Sequence, residues 1–451
     1  MKKYEKYTKT DQSWISAIPS HWEYVRAKRL FDNHKEKNIG NKESNILSLT
    51  LKGVINNDKD NPIGLSPSDY ATYQIFEKDD LVFKLIDLEN ISTSRVGIVP
   101  ERGIMSSAYI RFSAREEINT RYFYMQYYDW WLRQIFNGLG AGVRQTLSAA
   151  DLLNIKIVVP PREEQDQIVR YLDWQILKIN HLINGYQKQI KLLDERKITL
   201  INEAITHGIH TGVNMQEVQS NWIKEIPSHW QFNKIKQHFE IKKRIAGEEG
   251  YDVISITQQG LKVKDIASNE GQMAANYSKY QFVYPGDYAM NHMDLLTGFI
   301  GLSNYFGVTS PDYRVFSAIN LEKTDLKYFL YVFQLGYKRK IFYGLGRGAA
   351  NKGRWRMPAI NFKNYDIPVP PIQEQREIVD YIEKETEKID LLKKELEKQI
   401  EYLREYRTRL ISDVVTGQID VRDVVIPEYT PENDTDIDEL SDSEEVAENA
   451  K

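Results

Sequence analysis

Arg347, Arg354 and Arg356 fall within ten residues, with Lys352 and Trp355 among them, and these side-chain types share one chemistry. A guanidinium is planar and permanently charged, with donors spaced to grip a phosphate or the edge of a guanine. Upstream, Gln258 and Gln259 add amides, which match adenine edges as arginine matches guanine, and Lys262 adds an ammonium. In the first half of the chain, Lys52, Arg95, Arg102 and Arg144 are the candidates of the same kind. No catalytic set accompanies them. The chain has no cysteine, which removes thiol nucleophiles and cysteine-held zinc. The eight histidines are scattered, and His207 and His210 read as lone side chains near a helix end, so neither catalytic residues nor a metal site are expected.

Two glycine patterns are decoys. Gly138-x-Gly140-x-Gly142 and Gly344-x-Gly346-x-Gly348 each follow an aromatic helical pattern rather than a strand, so the geometry of a dinucleotide loop fails and they read as helix-ending glycines. Pro160-Pro161 and Pro370-Pro371 lack the Asn or Asp and the aromatic that flank such a pair in amino-methyltransferases; they read as helix starts. No lysine-bearing phosphate loop is present.

The net charge of −4 hides a division. Residues 428–451 hold ten acidic side chains against one lysine, and setting this −9 segment aside leaves +5 for residues 1–427. The body of the chain is therefore compatible with a polyanion, and the acidic tail, poor in aromatics, is expected to be disordered. At 451 residues with 41% hydrophobic content, about three folded units are expected. No apolar stretch approaches the roughly 18 residues of a membrane span, and the opening MKKYEKYTKTDQSW supplies no apolar h-region of the kind a signal peptide needs. The expectation is a cytoplasmic protein without a membrane partner.

What must position these side chains is written twice. Trp14-Ile15-x-x-Ile18-Pro19-Ser20-His21-Trp22 returns as Trp222-Ile223-x-x-Ile226-Pro227-Ser228-His229-Trp230. Tyr73-Gln74 and Asp80 return as Tyr280-Gln281 and Asp287. From Val159-Pro160-Pro161 and Val369-Pro370-Pro371 the offset holds at 210, through Glu164-Gln165 and Glu374-Gln375, to Thr206 and Thr416. The constant stretch has the period of a coiled coil. Val169, Leu172, Ile176, Ile179, Ile183, Tyr186, Ile190, Leu193, Lys197, Leu200 and Ala204 alternate steps of three and four. So do Val379, Ile382, Thr386, Ile389, Lys393, Leu396, Ile400, Leu403, Arg407, Leu410 and Val414, with Thr386, Lys393 and Arg407 as polar exceptions.

The direction of pairing follows from size. A helix of about 45 residues spans roughly 68 Å, whereas the intervening segment 222–368, folded compactly, is only about 40 Å across. Such a segment cannot join parallel helices end to start, so the pair is expected to be antiparallel, with a pseudo-two-fold axis inside one chain. The segments between read as mixed α/β (α+β). Short β-rich runs at 46–51, 81–86, 107–112, 253–257, 282–290 and 308–316 precede one aromatic helix each, at 120–137 and 324–343. The boundaries expected are 1–158 and 222–368 for two globular domains, 159–207 and 369–417 for two long helices, 208–221 for a linker and 418–451 for the tail. Outside the repeated anchors the two domains diverge: Leu51-Lys52-Gly53 stands where Gln258-Gln259-Gly260 stands.

This order resembles the specificity subunit of Type I restriction-modification systems: an opening Trp-Ile-x-x-Ile-Pro-x-His-Trp, a variable target-recognition domain, a Pro-Pro-x-x-Glu-Gln helix, then all three again. Residues 14–31, 159–207, 222–239 and 369–417 carry the resemblance, and the domain order covers nearly the whole chain apart from the tail. The resemblance implies a non-catalytic subunit that reads two halves of an asymmetric double-stranded DNA target through the major groove. It implies paired helices that fix the unread spacer and dock two methyltransferase subunits, with restriction subunits joining the assembly. S-adenosylmethionine, ATP and magnesium would then belong to those partners, with no cofactor in this chain. Two other readings remain: a specificity subunit serving a fused restriction-methylation enzyme, and a coiled-coil scaffold displaying two protein-binding domains.

Overall fold

The structure is a computed structural model that describes residues 2–62, 67, 69–86, 88, 95–115, 117–140, 146–265, 274, 276–348 and 355–429. It is mixed helix and sheet. Two continuous helices, Arg162–His207 and Ile372–Val415, dominate it. The chain divides into two compact units, residues 1–187 with the chain from 397 onward, and residues 188–396, so each long helix gives one half to each unit.

Within each unit the helix halves run antiparallel. In the second unit Asp194 meets Lys393 at 2.5 Å, Lys197 meets Asp390 at 2.6 Å and His210 meets Glu377 at 3.3 Å. Moving forward along one helix moves backward along the other. In the first unit Asn180 accepts from Arg407 at 2.7 Å, while Gln167 donates to the carbonyls of Val421 and Val424 just beyond the second helix. The heptad positions are buried or half-buried throughout, and none is exposed. Three of the four polar seam residues, Lys197, Lys393 and Arg407, have their partner on the opposite helix. Thr386 instead donates to the Glu383 carbonyl of its own helix.

Both globular parts use one antiparallel topology. A four-stranded sheet orders Val96–Ile98, Leu81–Phe83, Ile110–Ala114 and Phe31–Asp32 in the first unit; Ile300–Leu302, Tyr288–Met290, Arg314–Ala318 and Phe239–Lys242 repeat that order in the second. Glu23–Arg26 pairs with Lys156–Val159, and Gln231–Lys234 with Asp366–Val369, which ties the start of each domain to the strand that feeds its long helix. An aromatic helix, Thr120–Leu132 or Leu326–Lys338, packs over each sheet. Its tyrosine reaches the end of a long helix: Tyr122 donates to the Val415 carbonyl at 2.8 Å and Tyr328 to that of Ile205 at 3.3 Å.

The structure corrects several boundaries. The run 282–290 is two strands, Gln281–Val283 and Tyr288–Met290, split by a turn at Gly286 with φ of 88°. The run 308–316 is likewise split into Gly307–Thr309 and Arg314–Ala318. The aromatic helices stop near Arg133 and Arg339, just before Gln134 and Lys340 turn left-handed at φ of 54° and 55°. The expected linker 208–221 contains the strand Met215–Glu217, paired with Glu225–Pro227. The first residues of the expected tail are packed: Asp420 and Val421 are buried, and Gln418 donates to the Ala17 carbonyl at 2.9 Å. The tail from residue 430 lies outside the described residues.

Candidate nucleic-acid interface

The residues that repeat between the two halves build scaffold. In the first unit, Glu164 is buried at the start of the long helix and accepts from Tyr4 (3.0 Å) and the Trp22 indole (2.9 Å), with His21 at 2.6 Å. The Pro-Ser-His-Trp motif and the Pro-Pro-x-x-Glu-Gln motif are therefore two sides of one junction. In the second unit Glu374 holds His229 at 2.8 Å, while the Trp230 indole N–H has no acceptor among the described residues. The adjoining glutamines hold the residues that cap the aromatic helices, Asn119 and Asp325. Gln165 accepts the Asn119 amide at 3.0 Å and Gln375 that of Asp325 at 2.8 Å, each at the residue before the helix begins. Gln74 and Gln281 donate to the carbonyls of Tyr109 and Tyr313 at 2.7 and 2.8 Å. Asp80 and Asp287 brace turns by accepting the amides of Glu77 and Tyr284, at 2.7 and 2.8 Å. Burial pushes the Asp80 carboxyl up, although Arg111 lies against it.

The residues that do not repeat gather at three loops in each unit. In the second unit the described residues of these loops are the hairpin tip at Gln258–Gln259, residues 291–299, and residues 343–348 and 355–357. Gln258 donates to the Thr297 carbonyl at 2.7 Å, tying the first to the second. The Met357 amide donates to the His292 carbonyl at 2.9 Å, tying the second to the third. Arg314, buried below, donates to the Met357 carbonyl at 2.8 Å and lies over the Phe362 ring at 4.9 Å. Arg347 and Arg356 face each other as an isolated antiparallel bridge, their amides and carbonyls exchanging bonds of 2.8 and 3.1 Å. Trp355 stacks on Tyr343 at 5.3 Å and donates to its carbonyl at 2.7 Å.

The electrostatics of this face are one-sided. Gln258, Gln259, Lys262, Arg347 and Arg356 are all exposed. Among the described residues, Lys262, Arg347 and Arg356 form no ion pair. Two like charges directly opposite on an antiparallel pair repel, so this pairing suits an anion supplied from outside. His292 lies beneath; burial, reinforced by Arg314 and Arg356, pushes its pKa down to about 4. Lys352 and Arg354, the other cationic candidates of this loop, lie outside the described residues.

The first unit assembles equivalent loops from different residues. The hairpin tip is Leu51–Lys52, and the chain at Leu85 and Leu88 meets that at Asn137 and Leu147. Leu147 donates its amide to the Leu85 carbonyl at 3.0 Å and Asn137 its side-chain amide to that of Leu88 at 3.1 Å. Lys52 is exposed at the tip. Arg95 is a correction: at 2% exposure it is interior, its guanidinium directed at the carbonyls of Ile86 and Lys84 at 3.2 and 3.4 Å, where it shapes the loop instead of reaching outward. Arg102 is exposed but pairs with Glu43 at 3.2 Å and with Glu77, so its charge is already answered. Arg144 lies outside the described residues. Sequence reading missed the junction role of Glu164 and Glu374, although their repetition at offset 210 was the available signal. It also missed His292, for which no pattern existed.

Among the described residues no cluster of three His, Asp or Glu side chains is arranged to hold a metal, and no helix is long and apolar enough to cross a membrane. The sequence profile of the Type I restriction modification DNA specificity domain matches twice, over residues 19–192 and 227–402. The putative type I restriction enzyme MjaX specificity subunit of Methanocaldococcus jannaschii is 23% identical over 292 residues, 62% of this chain and 63% of that protein. The match thus spans just under two thirds of that relative's length. The type I restriction enzyme MjaVIII specificity subunit of the same organism is 24% identical over 346 residues, 72% and 76% of the two chains. Among solved structures, a chain from work on complex assembly and conformational transition of the type I R-M system superposes with a TM-score of 0.63. That match has 15% identity and covers 89% of this chain and 99% of the other.

Proposed function

The chain belongs to the Type I restriction modification DNA specificity family, and from that premise we propose that its two loop clusters read the two halves of an asymmetric, bipartite double-stranded DNA target. One observation carries this reading: the residues that repeat are consumed by scaffold, while the residues that differ stand exposed on matching loops, cationic and amide-rich in the second unit. Donors of this kind discriminate bases in the major groove, and lysines and arginines grip phosphates. In this reading the chain performs no chemistry. Methyl transfer with S-adenosylmethionine, and cleavage driven by ATP and magnesium, fall to partner subunits. The two helices, about 69 and 66 Å long at 1.5 Å per residue, set the length of DNA left unread.

The outer surface of the helices supports docking of two methyltransferase subunits. Leu182 and Leu392 are equivalent at offset 210, as are Leu192 and Tyr402, and all four are exposed, at 50, 56, 63 and 50%. Leu182 and Tyr402 lie in the first unit, Leu192 and Leu392 in the second. Each unit thus presents one member of each pair, on heptad positions c and g, the same flank of each helix. Exposed large apolar groups duplicated by an internal repeat suit a partner bound twice. The double variant Leu192→Glu, Tyr402→Glu is expected to lose most co-purification with the methyltransferase subunit at an unchanged melting temperature. Full co-purification would assign docking elsewhere. Specific binding of the assembled complex to a bipartite duplex, in fluorescence anisotropy with scrambled half-sites as competitors, tests the reading; equal binding to every competitor contradicts it.

A further inference from the structure

The two hairpins at the loop clusters share one architecture and differ at its tip. Leu47–Thr50 pairs with Gly53–Asn56, and Ile254–Thr257 with Gly260–Val263. Only two residues stand between the strands, Leu51-Lys52 in one and Gln258-Gln259 in the other. The threonine hydroxyl closes both turns the same way. Thr50 accepts the Lys52 amide at 3.1 Å and donates to the Gly53 carbonyl at 3.1 Å; Thr257 accepts the Gln259 amide at 3.2 Å and donates to the Gly260 carbonyl at 2.9 Å. Gly53 and Gly260 hold φ of 95° and 113°, a conformation side chains resist. Each hairpin also seats on a glycine of the sheet. A Cβ at Gly97 would stand 2.7 Å from Leu49 and Val54, and one at Gly301 2.7 Å from Leu261.

A backbone fixed so closely leaves the two tip side chains as the variable part. They are not equivalent to each other. Gln258 has one of its two amide N–H groups committed to the Thr297 carbonyl, which fixes its orientation. The Gln259 side chain makes no hydrogen bond among the described residues and keeps both ends for a base edge. Leu51 offers an apolar surface where Gln258 offers an amide.

Resting on the DNA-reading function proposed above, we propose that these tips are interchangeable specificity elements, Gln259 reading adenine in one half-site and Lys52 reading guanine in the other. Gln259 can meet the adenine N6 and N7 positions together, and a lysine ammonium can meet guanine O6 and N7. Gln258 buttresses the tip. The remaining loops read the neighbouring bases.

The test expresses the full chain with its methyltransferase subunits in a host lacking other methylation and reads the methylated motif by long-read sequencing. Gln259→Lys changes one adenine of one half-site to guanine, or leaves that position degenerate, and shifts preference there on the order of 10- to 100-fold. Lys52→Gln does the converse in the other half-site. In each variant the second half-site is unaltered. Motifs identical to wild type overturn the assignment. Where a variant methylates nothing, DNA captured by the variant complex from a random-sequence pool gives the same preference without turnover, and an unaltered preference there also overturns it. A wild-type complex that leaves no motif fails the DNA-reading function itself, a result distinct from both.

Discussion

Replacing Arg347 and Arg356 together with alanine weakens specific DNA binding roughly 100-fold or more, at about 1–3 kcal/mol for each good contact to a base, while the protein loses no stability. The two halves of this expectation have one cause. Both guanidiniums are exposed, oppose each other across a short bridge and have no carboxylate partner among the described residues. Removing them relieves a repulsion in the free protein and removes an attraction in the complex. A structural arginine behaves otherwise: Arg314, buried and bonded to the Met357 carbonyl, should destabilise the second unit when truncated. Anisotropy titrations at several salt concentrations, with melting curves on the same samples, check the pair. If both arginines meet phosphates, the slope of log affinity against log salt falls by about two. If they meet bases, substitutions in one half-site cease to matter. Unaltered affinity removes this loop from the interface.

Glu164→Ala lowers the melting temperature of the first unit by roughly 10 °C. The carboxylate is the shared acceptor for the Tyr4 hydroxyl and the Trp22 indole, with His21 against it, all at hydrogen-bonding distance. A buried donor left without an acceptor costs about 1–3 kcal/mol, so the losses together reach about 3–5 kcal/mol. A unit of this size shifts by about 2–4 °C per kcal/mol. Glu374→Ala costs less, because His229 is half-exposed and the Trp230 indole has no bond to lose. Glu164→Gln keeps an acceptor and falls between. Calorimetry of the three variants checks the order, and equal midpoints would contradict it.

The helices were legible because a heptad pattern needs only residue type and spacing. Their antiparallel sense followed from the size of the segment that joins them, and the cross-helix pairs Lys197–Asp390 and Lys393–Asp194 show why polar residues survive in the seam. The repeat exposed the scaffold, since Gln165, Gln74 and Asp80 each have a mate with the same bonding role. It gave no such guide to the loops. Arg95 and Arg356 are the same residue type in comparable loops, yet one is interior and the other exposed, because sheet edges and neighbouring loops decide which way a loop side chain turns. The tail was misjudged at its start for a related reason: Asp420 and Val421 are buried, with the Asp420 amide donating to the Lys2 carbonyl and Gln167 to that of Val421, contacts that composition cannot reveal.

Long-read methylome sequencing of a methylation-free host, carrying the methyltransferase subunits with and without this chain, tests the central claim most directly. An asymmetric motif of two short half-sites with a fixed unread spacer, present only when the chain is expressed, is the predicted result. A motif that persists without the chain, or a single uninterrupted one, would contradict it.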